Sequence, residues 1–182
     1  QGLVENTLVI FTSDNGAYGG VSDLRPLRAA KGYLYEGGIR VPAFIRFPGK
    51  IKGGLLSSEP VVTMDYFKTI LDICGIGYES AICDGVSLVP LFEGKKIERD
   101  ALYFHYPNYA FHKGNRLGAA IRRGAYKLIK NFDDGSVELY DLKFDIGEQK
   151  NIATERPVLA SKLKNKLEKW LVEVKANMPT KP

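Results

Sequence analysis

Asp14 and Asn15 place a carboxylate beside an amide carbonyl, directly after the run Thr7-Leu8-Val9-Ile10-Phe11-Thr12 and inside the turn cluster Ser13-Asp14-Asn15-Gly16. Hard divalent cations such as Ca²⁺ take oxygen ligands of this kind, but they need about six to eight, and two neighbours supply only two. The same pair also suits an Asx-turn, in which both side chains bond local backbone. Further along, Lys31 stands in Leu27-Arg28-Ala29-Ala30-Lys31-Gly32 and is followed by Tyr33-Leu34-Tyr35-Glu36-Gly37-Gly38-Ile39-Arg40-Val41-Pro42. A lysine ammonium is a compact cation with three donors and can hold an oxyanion as a point charge. Taken singly it is more often a solvated surface charge. Here the glycines allow close backbone approach, and Glu36 and Arg40 are spaced to pair and fix the loop. Cys74 and Cys83 fit no zinc spacing and read as two small buried thiols or one incidental disulfide.

These residues need elements to carry them. The continuous apolar, β-branched run ending at Thr12 suits a strand buried on both faces of a parallel sheet, and open α/β sheets place ligands at the carboxyl ends of such strands. The segment from Ala17 to Gly38 is long for a structureless loop, and long loops are usually functional. Ile39 to Phe47 reads as a second strand with an irregularity at Pro42. Met64, Phe67, Ile70, Leu71 and Cys74 give an amphipathic helix over 63–74, with Gly75 just past its end. Beyond about residue 98, short strand-like runs follow at 101–105, 118–123, 126–132 and 137–142, with Asp133-Asp134-Gly135 as a hairpin turn. A long amphipathic helix over 155–175, apolar at Leu159, Leu163, Leu167, Trp170, Leu171 and Val174, closes the chain.

The 182 residues are 45% hydrophobic and 26% charged, the mix of a folded domain, so disorder and disulfide-dense scaffolds are excluded. No stretch approaches the roughly 18–20 apolar residues of a membrane helix. Twenty-six Lys and Arg against 21 acids give +5 and a pI near 9.1. That excess favours anionic ligands but is too mild to argue for nucleic acid.

Strand-Ser13-Asp14-Asn15-Gly16, followed by Pro26-Leu27-Arg28-x-x-Lys31-Gly32-x-Leu34-Tyr35-Glu36-Gly37-Gly38-Ile39-Arg40-Val41-Pro42, resembles the second half of a type I, formylglycine-dependent sulfatase of the arylsulfatase kind. Asp84-Gly85-Val86-Ser87-Leu88, His105-Tyr106-Pro107, Arg122 to Leu128, and Leu139-Tyr140-Asp141-Leu142 with Glu148 and Asn151 extend the resemblance over nearly the whole chain. It implies that Asp14 and Asn15 are Ca²⁺ ligands, that Lys31 binds the sulfate group, and that His105 touches substrate near the pocket mouth. A structural role for His105 in the small sheet is the alternative, and His112, beside a lysine, reads as solvated. No residue here fits the Cys/Ser-x-Pro/Ala-x-Arg motif of the family's nucleophile, so no catalytic nucleophile is assigned and the formylglycine belongs upstream.

The resemblance therefore implies an α/β fold: residues 1–97 as the C-terminal part of an alkaline-phosphatase-like catalytic sheet, and residues 98–182 as a small antiparallel sheet with the long C-terminal helix. The implied function is hydrolysis of sulfate esters, with a sulfated small molecule or glycan as substrate. The partner is the missing N-terminal half of the same enzyme, without which this chain is expected to be inactive. The start at Gln1 looks like an interior cut, with export to the periplasm or outside the cell expected for the whole. The rivals are a phosphodiesterase or phosphonate hydrolase of the same superfamily, disfavoured by having only 2 His, and a non-catalytic carbohydrate-binding piece.

Overall fold

The computed structural model describes residues 2–79, 83–108 and 116–179. His112 lies outside the described residues. The chain forms two compact units, residues 1–14 with 42–99, and residues 15–41 with 100–182. The Lys31 segment, grouped by the sequence reading with residues 1–97, thus lies in the second unit.

In the first unit, Val9–Thr12 (β1) pairs antiparallel with Ala43–Arg46 (β2), in the register Val9 to Arg46 and Phe11 to Phe44. The expected parallel strand buried on both faces is not formed within this chain. Val9 and Phe11 are exposed, and the Phe11 ring lies 6.0 Å from that of Phe44 between centroids. The second strand is also shorter than expected, because residues 36–39 form a helical turn and Pro42 lacks the N–H to pair. Met64–Cys74 (α2) ends as its sequence requires, with Gly75 at φ +67° and the Ile76 N–H returning to the Leu71 carbonyl at 3.0 Å.

Its buried side is polar. The Asp65 carboxylate accepts the Val62 and Val86 N–H groups at 2.8 and 3.0 Å and pairs with Arg99. The Thr69 hydroxyl donates to the Asp65 carbonyl and accepts the Leu88 N–H at 2.9 Å. The apolar stripe of Met64, Phe67 and Ile70 is left exposed. Cys74 and Cys83 are free thiols, the first exposed and the second half-buried, so neither is a core thiol and no disulfide joins them. A short helix, Val89–Phe92 (α3), follows.

The second unit closes its own core. Leu102–Tyr106 (β3), Gly118–Arg123 (β4), Tyr126–Asn131 (β5) and Val137–Asp141 (β6) form an antiparallel meander in chain order. Gly135 at φ +69° turns the last hairpin. The helix Pro157–Glu173 (α4) lays Ala160, Leu163, Leu167 and Leu171 over Ala119, Ile121, Leu128 and Leu139, and Trp170 stacks on Tyr103 at 4.7 Å. On the other face Ala120, Ile129, Tyr140 and Leu142 receive Leu34 and Tyr35 from the Lys31 segment. A sheet covered on both faces explains the small residues of β4: Ala119 and Ala120 are both 0% exposed.

The core of this unit makes a graded prediction along one helix. Leu167→Ala, at a fully buried site, should destabilise by about 2–5 kcal/mol, whereas Val172→Ala, 77% exposed, should stay within about 0.5 kcal/mol. Urea denaturation of both variants checks this. Equal midpoints would mean that α4 does not dock as described.

Candidate functional site

The segment carrying Lys31 has almost no regular structure, yet its backbone is cross-linked at close range. The Lys31 N–H donates to the Ala17 carbonyl at 3.0 Å, Gly37 N–H to Arg28 at 2.8 Å, and Gly16 N–H to Gly38 at 2.9 Å. These approaches require glycine. A Cβ at Gly16 would sit 1.9 Å from the Gly37 carbonyl oxygen, and one at Gly37 would sit 2.3 Å from that of Ala29. Ala29 itself is held at φ +60°. Glu36–Ile39 (α1) is a single helical turn at the end of this knot.

A buried charge cluster joins the knot to the sheet. Lys127 on β5, fully buried, places Nζ 3.0 Å from Glu36 Oε1 and 2.8 Å from Glu148 Oε1. The other Glu148 oxygen accepts the Glu36 N–H at 2.6 Å. Arg40 lies 3.2 Å from Glu36 Oε2, the pairing expected from the sequence. Burial alone would raise the Glu36 carboxyl, but Lys127, Arg122 and Arg40 outweigh it and hold it below the ordinary range. At Glu148 burial prevails over Lys127 and raises the carboxyl.

A second cluster secures the segment upstream of Lys31. The Arg28 guanidinium lies 3.8 Å from the centroid of the Tyr35 ring and donates to the Tyr140 hydroxyl at 2.8 Å and the Glu148 carbonyl at 3.0 Å. Tyr35 and Tyr140 both donate to Glu138. Burial and that carboxylate push the Tyr35 phenol up to about 12 and the Tyr140 phenol up as well. Beside this cluster opens a cavity of about 960 Å³, which Arg28, Tyr35, Arg116 and Glu138 help to line and Lys31 does not. Arg116 on its wall is already paired with Asp134 at 2.7 Å.

Of the site residues expected from sequence, Lys31 is half-buried with its backbone fixed as described, and its ammonium has no ion-pair partner among the described residues of its unit. Asp14 is exposed at the end of the first unit, with Ser13 Oγ 3.5 Å from Oδ1, and Asn15, half-buried, begins the second. Their oxygens match Ca²⁺ in kind. In number they fall short, and no group of three or more His, Cys, Asp or Glu side chains suited to an ion forms among the described residues. His105 sits on β3 with Nε2 2.8 Å from the Asn177 carbonyl oxygen and its ring 5.6 Å from that of Phe132.

Sequence reasoning missed Arg28, Lys127 and Glu138 as scaffold of the site. Lys127 lies in a strand reading Tyr-Lys-Leu-Ile-Lys, where a lysine normally signals an outward face; only the acids at 36 and 148 make it an interior one.

The family model described as N-sulphoglucosamine sulphohydrolase, C-terminal, matches residues 29–177. The chain belongs to the sulfatase family. A sulfatase of Formosa agariphila is 36% identical over 99% of this chain and 35% of its own length. The N-acetylglucosamine-6-O-sulfatase of Bacteroides thetaiotaomicron is 35% identical over 83% of this chain and 27% of its own. Among solved structures, a protein in complex with its substrate D-glucosamine-2-N,6-O-disulfate superimposes with a TM-score of 0.78 at 32% identity, over 98% of this chain and 36% of that one. The chain thus spans about a third of the length of these sulfatases. Its α/β fold is the C-terminal part of the alkaline-phosphatase-like sulfatase architecture, with the small antiparallel sheet and C-terminal helix.

The two raised phenols carry a pH dependence. Each holds its proton more tightly folded than unfolded, so their contribution to stability is complete below the ordinary value near 10 and is lost as pH rises through the folded value, about 12 for Tyr35. Chemical denaturation between pH 9 and about 12 should show stability falling, and the double variant Tyr35→Phe, Tyr140→Phe should flatten that slope. An unchanged slope would place both phenols in water.

Proposed function

We propose that this chain is the C-terminal part of an enzyme that hydrolyses sulfate esters of a sulfated carbohydrate, a sulfated glucosamine unit being the substrate class favoured by the relatives. The observation that carries the reading is Lys31: an ammonium without an ion-pair partner among the described residues of its unit, on a backbone closed by glycine contacts and anchored by buried charges. A fixed cation stabilises charge that develops on sulfuryl oxygens without reorganising at the moment of reaction. Ca²⁺, when bound, would offset charge on the same oxygens, with Asp14 and Asn15 supplying two of its oxygen ligands and the remainder coming from outside this chain. The nucleophile, a formylglycine in this family's chemistry, belongs to the missing N-terminal half. His105, whose Nε2 meets the Asn177 carbonyl oxygen, is assigned to substrate contact near the pocket mouth. The exposed Val9, Phe11, Phe44, Met64, Phe67 and Ile70 of the first unit are apolar surface that the missing half would cover. Export to the periplasm or beyond the cell accords with a glycan substrate.

In the full-length enzyme, Lys31→Ala should lower kcat by about 10²-fold or more on a sulfated glucosamine, the scale of a single oxyanion donor. Lys31→Arg should rescue poorly, since a planar fork cannot replace a compact ammonium. A modest rise in KM that fades with salt, at unchanged kcat, would make Lys31 a solvated charge. The 182 residues alone should release no sulfate. Two transition-metal ions per full-length chain, with turnover of a phosphodiester or phosphonate in place of the sulfate ester, would favour the superfamily rival.

A further inference from the structure

Lys31 is held from both sides, and both holds end on the same residue. Upstream of it, Arg28 donates a hydrogen bond to the Glu148 backbone carbonyl at 3.0 Å. Downstream, the Glu36 N–H donates to Glu148 Oε2 at 2.6 Å. The other oxygen of Glu148 faces Lys127 at 2.8 Å, which in turn holds the Glu36 carboxylate at 3.0 Å. Glu36, Lys127 and Glu148 are at most 1% exposed, so water does not reach the contacts among these three.

We propose that Glu148 is a positioning residue for Lys31: it clamps residues 28 and 36 together, while Lys127 on the sheet keeps the Glu148 and Glu36 carboxylates in contact. The backbone of Glu148 is part of the device. Its φ of +52° is unusual for a residue with a side chain, and it lets the carbonyl face Arg28 while the carboxylate faces the Glu36 amide. Between the two clamped ends the chain closes on itself through Gly37 N–H to Arg28 and Lys31 N–H to Ala17. The ammonium of Lys31 therefore projects from a backbone with little freedom to retreat. A lysine on a mobile loop would lose that advantage, because displacement of a charge-stabilising group by about 1 Å can cost about 10²-fold in rate. The clamp rests on the reading of Lys31 as the sulfate-binding residue only for its catalytic meaning; the mechanical claim stands on the contacts alone.

The test is hydrogen exchange on the full-length protein, wild type against Glu148→Ala and Glu148→Gln. In Glu148→Ala, peptides covering residues 28–38 should exchange at least about tenfold faster, while peptides from β3, β4 and α4 stay at the wild-type rate. Glu148→Gln should restore much of the protection, because its amide oxygen can still accept the Glu36 N–H. Unchanged exchange at 28–38 in folded Glu148→Ala would overturn the proposal, and so would acceleration spread evenly over the sheet. If Glu148→Ala does not fold, the wild-type protein decides. The Glu36 amide must then exchange as slowly as the amides of β5, and exchange as fast as at exposed Gly20 would overturn the clamp. Kinetics separate this from the sulfate reading. Glu148→Ala should lower kcat, and combining it with Lys31→Ala should add little to the loss. If Lys31→Ala leaves kcat intact, the sulfate reading fails while the exchange result still judges the clamp.

Discussion

A lysine ammonium with no exposure to water must be matched by acids at contact distance, or it loses its proton or its place in the fold. Lys127 meets that condition through Glu36 and Glu148, which lie 91 residues upstream of it, as counted for the Lys127–Glu36 bond, and a short way downstream. Three segments distant in sequence therefore have to converge: the Lys31 segment, the strand β5 and the turn after β6. Removing one partner from such a cluster generally costs about 3–5 kcal/mol, because a buried charge is left uncompensated. The cluster thereby ties the glycine knot, which carries Lys31, to the sheet through Lys127 contacts of 3.0 and 2.8 Å.

The two units differ in how they meet the demand for burial. The second is covered on both faces, by α4 on one side and by Leu34 and Tyr35 on the other, and carries fully buried residues on each strand from β4 to β6. The first unit is organised by polar contacts, with Asp65 and Thr69 satisfying backbone N–H groups. Phe47 and Leu88 are its buried large apolar side chains among the described residues, while Phe11, Phe44, Met64, Phe67 and Ile70 are exposed. The helix α2 keeps its apolar stripe exposed, and the strand pair β1–β2 exposes Val9, Phe11 and Phe44.

That difference decides what was legible in the sequence. The four strands, the Asp133-Asp134-Gly135 turn and the helix over 157–173 follow from local pattern and are found close to where that pattern puts them, since their partners are neighbours in the chain. The Gly75 cap was readable for the same reason. The run from Thr7 to Thr12 was read as a doubly buried parallel strand because continuous apolar residues carry no record of which chain segment covers them. The Lys31 segment was recognisable by motif, but its attachment was not: Glu36 pairs with Arg40 four residues on, a contact visible in the sequence, while its bond to Lys127 depends on tertiary structure. Arg28 and Glu138 escaped notice likewise, their partners being Tyr140, Tyr35 and Asn131 from separate elements.

The most direct measurement is a double-mutant cycle on Glu36 and Lys127, with Glu36→Gln, Lys127→Met and the pair compared by chemical denaturation. Two groups that hold each other inside the protein should show a coupling energy of about 1–3 kcal/mol. Losses that add to within about 0.5 kcal/mol would mean that the buried charges do not act as a unit, and that the Lys31 segment is held to its sheet by other contacts.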